Sequence, residues 1–154
     1  MATATEDAIN LGALYEEDET AWLETMSALA ARGQYREMDY KNLSEYLKDM
    51  VKRDRREVFS RLVVLCCHLL KLEHQPKRRS ASWRGTIREQ RRELRQLLES
   101  GTLRRHAQKI MAEAYEEARR QAADETGLKL AVFPARCERS LDELLAVPES
   151  GENP

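Results

Sequence analysis

Glycine and proline are scarce in this chain, 6 and 4 of 154 residues. That is too few for the turn-dense chain of a β-sandwich or barrel. Strand-favouring residues never alternate with polar ones over a useful length. No apolar run is long enough to cross a bilayer. The opening "MATATEDAINLGALY" lacks the basic leader and apolar stretch of a signal peptide, so the expectation is a cytoplasmic protein without a membrane partner. The three cysteines are Cys66, Cys67 and Cys137. An odd count with two adjacent in an apolar run argues against a disulfide framework and for a reducing compartment. No Cys/His spacing suits zinc, and neither a Ser-His-Asp order, a glycine-rich phosphate loop nor a paired-carboxylate motif stands out. Neither a metal nor a cofactor is expected.

What remains is helix-forming sequence, rich in Ala, Leu, Glu and Arg, with 42% hydrophobic residues. That composition predicts an all-α fold, a single-domain irregular bundle of about five helices plus a short C-terminal one. Residues 1–13 are expected to be a flexible N-terminus, 14–146 the helical domain and 147–154 a disordered tail. A first helix runs from about Glu16 to Ala31 with Trp22, Met26 and Leu29 on one face, its acids Glu16 to Glu19 in the first turn. Asp39 reads as the N-cap of a second, with Leu43, Tyr46, Leu47 and Met50 as its buried stripe. The segment "VFSRLVVLCCHLLKL" is apolar over more than half its circumference and predicts a central helix. It either continues the second helix or starts afresh near Asp54, and Pro76 closes it. Ser80 or Ser82 caps a helix from about Trp83, and Thr102 a long one that Gly127 ends. "SLDE" at 140–143 has the form of a capping box.

Net charge is −1 but strongly segregated. Residues 1–51 hold 4 basic and 11 acidic side chains, residues 52–105 hold 16 and 6, and residues 106–154 hold 6 and 10. The basic middle either meets an external anion or is neutralised inside the fold, and the small total favours the second.

Two constellations carry chemistry. Arg84, Arg88, Arg91 and Arg95 fall at i, i+4, i+7, i+11, within about 60° on a helical wheel. With Lys77, Arg78 and Arg79 at the edge they form a candidate rail for nucleic-acid phosphates. The plainer reading lays the stems of the four arginines on the core and pairs their heads with neighbouring acids. On the central helix, Glu57, Arg61, His68 and Lys71 make a polar seam. Arg61 and His68 lie about 10.5 Å apart along the axis, an arrangement like that of small all-α HEPN-type ribonucleases, in which the His does acid–base work and the Arg stabilises developing charge. The plainer reading is a Glu57–Arg61 i,i+4 ion pair.

Taken in order, Tyr15, Asp18 and Trp22, then His68-Leu-Leu-Lys71, Gln75-Pro76, Ser82-Trp83-Arg84 and Gln90-Arg91 resemble the bacterial domain-of-unknown-function family twenty-nine over about residues 14–146. The resemblance implies a compact helical fold without an established activity or cofactor. It marks His68, Lys71, Trp83, Gln90 and Arg91 as positions to test and gives them no role. The leading expectation is a non-enzymatic interaction or regulatory module with a protein partner or a second copy. RNA or DNA binding through the arginine stripe is the alternative, and a metal-independent ribonuclease using Arg61 and His68 the third.

Overall fold

The structure is a computed structural model that describes residues 9–75, 77 and 81–146. The expected stop at Pro76, the cap at Ser80, the arginines Arg78 and Arg79 and the 147–154 tail lie outside the described residues, as does most of the N-terminus expected to be flexible. The helices are α1 (Leu11–Glu17), α2 (Glu19–Ala31), α3 (Tyr40–His74), α4 (Ala81–Leu97), α5 (Gly101–Thr126) and α6 (Leu141–Leu145). Short 3-10 turns occupy Tyr35–Glu37 and Leu130–Val132. No strand occurs among the described residues, and the fold is all-α as expected. The chain divides into two compact units with the boundary after Val51.

In the first unit the expected single N-terminal helix is two helices separated by one residue. Asn10 caps α1 by accepting from the Ala13 N–H at 3.1 Å. Asp18 leaves helical geometry and its carboxylate accepts from the Ala21 N–H at 3.0 Å, capping α2. An aspartate competes with the helix for its own backbone donors, which is why the chain breaks there. Glu16 and Glu17 therefore end α1 rather than start a helix, and only Glu19 sits in the favourable first turn of α2. Helix α2 buries Trp22 and Met26, and Tyr15 meets Trp22 edge-on with ring centroids 4.8 Å apart. Gly33 then takes φ 71°, the left-handed position after a helix C-terminus that glycine fills without steric cost.

Asp39 is the expected cap of α3 and ties the unit together. It accepts from the Asn42 backbone N–H at 3.3 Å, from the Asn42 amide at 2.7 Å and from the Trp22 indole N–H at 3.2 Å. Burial works against its charge, but the bonds from Asn42 and Trp22 outweigh it and hold the carboxyl below its ordinary pKa. The stripe expected to be buried behind it divides. Leu43 and Tyr46 are half-buried, and Tyr46 meets Trp22 at 5.9 Å. Leu47 is 53% exposed and Met50 39%, beside Tyr40 at 56% and Val51 at 52%.

The second unit holds the rest of α3 with α4, α5 and α6. Helix α3 is unbroken for 35 residues, so no fresh start occurs near Asp54. Its apolar breadth is matched by burial of Val58, Leu62, Leu65, Cys67 and Leu72, each at most 1% exposed. Ile87, Leu94 and Leu98 close the core from the α4 side, and Trp83 is partly buried against it. Helix α5 contributes four fully buried alanines, Ala107, Ala114, Ala118 and Ala122. Its cap is Ser100, which accepts from the Leu103 N–H at 3.3 Å; Thr102, the expected cap, lies inside the helix. Gly127 ends α5 with φ 71° as its position suggests. Beyond it the Tyr115 hydroxyl donates to the Pro134 carbonyl at 2.7 Å, and Arg119 donates to the carbonyls of Phe133 and Leu130. These bonds hold an otherwise irregular loop so that Phe133 is buried to 1%. The capping box at Ser140 and Glu143 is complete and starts α6, which buries Leu141, Leu144 and Leu145.

Candidate functional site

Every candidate residue from the sequence that is described lies in the second unit, around three polar clusters. The first surrounds Arg61. Its Nε donates to Glu57 Oε1 at 2.8 Å, its Nη1 to Gln90 Oε1 at 3.2 Å, and its Nη2 lies 3.9 Å from Glu93 Oε2. All three guanidinium nitrogens are thus engaged, and the side chain ties α3 to α4. Beside it runs a groove of about 530 Å³. Arg53, Arg56, Ser60 and Val64 of α3 line it together with Glu57 and Arg61, and Gln90 of α4 stands opposite. Arg53 and Arg56 are exposed, and among the described residues neither makes a salt bridge. The sequence reading missed Arg53, Arg56 and Ser60. Their signal was present in the spacing 53, 56, 57, 60, 61, 64, one face of a helix with only one apolar member.

The second cluster is set one turn and more further along α3. His68 turns its Nδ1 onto the Val64 carbonyl at 2.8 Å, so that nitrogen carries the proton it donates. His68 and Arg61 have separate hydrogen-bond partners. Lys71 is only 7% exposed. Its ammonium donates to Glu125 Oε2 at 2.5 Å and lies 4.8 Å from the centroid of the Trp83 ring, a cation–π contact on a desolvated charge. Glu125 also accepts from Gln121 Nε2 at 2.9 Å. The bonds from Lys71 and Gln121 hold its carboxyl below the ordinary pKa, against the opposing effect of burial. Glu125 is 54 positions from Lys71, and no sequence spacing links the two. The cluster is a closed ion pair under an aromatic ring.

The third cluster corrects the expected pairing of the arginine stripe. Arg91 is 9% exposed and its Nε donates to the Leu144 carbonyl at 2.8 Å. Arg95 donates from Nε and Nη2 to the Leu145 carbonyl at 2.8 and 2.5 Å. Two of the four arginines therefore satisfy the last carbonyls of α6, groups that a helix end leaves without internal partners. The partners are carbonyls and not the acids of a neighbouring helix. Burial first, then the nearby guanidinium groups of Arg139 and Arg95, press the Arg91 pKa down. Arg139 is itself paired with Glu73. Arg84 is half-buried with its Nε lacking a hydrogen-bond partner among the described residues, while Arg88 and Lys77 are exposed. The four side chains share a helix face but not a common surface.

The remaining reactive groups are shielded. Burial pushes the thiols of Cys66 and Cys67 up to about 12, far from a thiolate at neutral pH. Among the described residues, no cluster of three or more His, Cys, Asp or Glu side chains could hold a metal ion. No helix there is long and apolar enough to cross a membrane.

No curated protein and no solved structure matches the chain. The family model described as "Domain of unknown function DUF29" matches residues 14–147, through both units and every cluster above. Its span over nearly the whole sequence, with a helical fold throughout, makes the chain a member of the DUF29 family.

Proposed function

We propose that this protein is a non-enzymatic interaction module, and that its first unit docks a basic amphipathic helix of a partner protein on α3. One observation carries the reading. Tyr40, Leu47 and Val51 fall on one side of the helix and are each more than half exposed, with Met50 beside them at 39%. Large apolar side chains grouped in this way mark interaction surfaces more often than isolated ones do, and helix-in-groove recognition uses this spacing. Charge selects the partner. Residues 1–51 carry 11 acidic and 4 basic side chains, a field that attracts a cationic helix and works against an anionic membrane or the same unit of a second copy.

The polar clusters support the non-enzymatic part of the reading. The guanidinium of Arg61 is spent on Glu57, Gln90 and Glu93, and His68 turns one ring nitrogen onto its own helix. A ribonuclease would need both released toward one phosphate. Binding of a nucleic-acid backbone along the stripe would need Arg91 and Arg95 to leave the carbonyls of α6.

Fluorescently labelled helical peptides of one apolar pattern, lysine-rich or glutamate-rich, provide the test. The lysine-rich peptide is expected to bind with a salt-weakened affinity that Leu47→Asp with Val51→Asp abolishes, while helicity is unchanged. Absence of binding, equal binding of the glutamate-rich peptide, or a dimer in sedimentation that Leu47→Asp dissolves would each overturn the proposal.

A further inference from the structure

We infer that the groove between α3 and α4 is a binding site for a small phosphorylated molecule. The inference stands apart from the docking stripe, since every residue lining the groove belongs to the second unit.

The first argument is the character of the helix face. Positions 53, 56, 57, 60, 61 and 64 follow i, i+3, i+4, i+7, i+8, i+11, the spacing by which a bundle helix normally presents apolar side chains to its neighbour. Here those positions hold Arg, Arg, Glu, Ser, Arg and Val. Covering that face with another helix would bury charge at high cost, and instead it borders a shallow, solvent-open groove of about 530 Å³. That lies within the range of about 300–1,000 Å³ usual for small-ligand pockets.

The second argument is charge. Of the three arginines in the groove, Arg61 is neutralised by Glu57 at 2.8 Å and shared with Gln90. Arg53 and Arg56 have no carboxylate partner among the described residues, so the groove keeps a surplus of positive charge. Their planar forks suit the paired oxygens of a phosphate. Ser60, one turn beyond Arg56, offers a hydroxyl donor. On the opposite wall, Arg61 fixes the Gln90 carboxamide through its oxygen, which leaves the NH₂ group to meet a polar group on the ligand. Val64 offers apolar surface to the part of the ligand that is not phosphate.

The third argument sets the size of the ligand. Glu57 lies in the same groove, and its carboxylate repels a continuous polyphosphate chain laid along α3. One phosphate or diphosphate head between Arg53 and Arg56, with the rest of the molecule toward Val64 and Gln90, avoids that repulsion.

Calorimetric titration of the full chain at low salt with inorganic pyrophosphate and with adenosine monophosphate tests the assignment. Saturable binding is expected, weakened at least ~10-fold by Arg53→Gln or by Arg56→Gln and measurably by Ser60→Ala. Arg55→Gln, on the far side of the same helix, is expected to leave the affinity unchanged. All four positions are exposed, so far-UV circular dichroism is expected to match the parent. Failure of both probes to bind would sink the inference. So would an equal loss in Arg55→Gln, or a mixed-sequence oligonucleotide that binds through Arg53 and Arg56 when neither probe does.

Discussion

The ammonium of Lys71, 7% exposed, depends on Glu125 and the Trp83 ring for its electrostatic compensation. Removing the carboxylate strands a charge, whereas removing the charge leaves a glutamate with 39% of its side chain in water. Glu125→Ala is accordingly expected to cost about 2–3 kcal/mol and Lys71→Met less than about 1 kcal/mol, in urea unfolding. The same pair makes stability depend on acidity. The folded pKa of Glu125 is depressed below its ordinary 4.5, so its contribution is complete above that value and is lost as the pH falls through the folded pKa. Lys71→Met is expected to flatten that acid limb. Cysteine reactivity provides a second check at this scale: slow alkylation of the native protein is expected at half-buried Cys137, whose thiol burial also pushes up, and at Cys66 and Cys67 only after unfolding. The sequence made Cys66 and Cys67 readable as core residues because their neighbours are apolar. It could not pair Lys71 with Glu125, because that contact exists only once α3 and α5 are side by side.

Among the elements, α6 is the one that rests most on another helix. Five residues cannot sustain a helix by their own hydrogen bonds, and α6 persists through its capping box, three buried leucines and the arginines that hold its last carbonyls. Arg91→Ala with Arg95→Ala is expected to speed amide exchange through Leu144 to Ala146 and to cost about 2–4 kcal/mol in all. Arg88→Ala is expected to stay within about 0.5 kcal/mol, since its side chain is exposed. The capping box was legible because Ser140 and Glu143 stand in a fixed local pattern, and so was the end of α5 at Gly127. The break at Asp18 was not, since four consecutive acids look like one helix start until the capping bond of the last aspartate-initiated turn is seen. The open stripe of α3 was missed for a related reason. Periodicity marks an apolar face, but along it only Leu43 and Tyr46 are half-buried, Tyr46 against Trp22 of α2.

At the scale of the whole molecule, the change of charge along the sequence coincides with the division of the fold. The acidic segment ends at Val51, as does the first unit. From the basic middle, ion pairs run to Glu125 and Asp142 of the last third and to Glu57 and Glu93 within it, while Glu73 of the middle is taken by Arg139 of the last third; the result is partial neutralisation of the kind the small net charge suggested. The two units differ in what they bury. Trp22 and Met26 are the fully buried apolar side chains described in the first, against a core of more than twenty residues in the second. Each unit has one tryptophan. Trp22 fluorescence in Trp83→Phe is expected to report a transition at lower urea than Trp83 fluorescence in Trp22→Phe, and coincident midpoints would show a single cooperative fold.

The boundary after Val51 falls inside α3, between residues that are both helical. Proteases need several residues of extended chain to engage a substrate, and a hydrogen-bonded helix offers none. A digest that separates most two-part proteins at their linker therefore finds no linker here. Cleavage near residue 51 would report that α3 had melted locally, and the rate of that cut would measure how often a helix of 35 residues opens about a third of the way along its length.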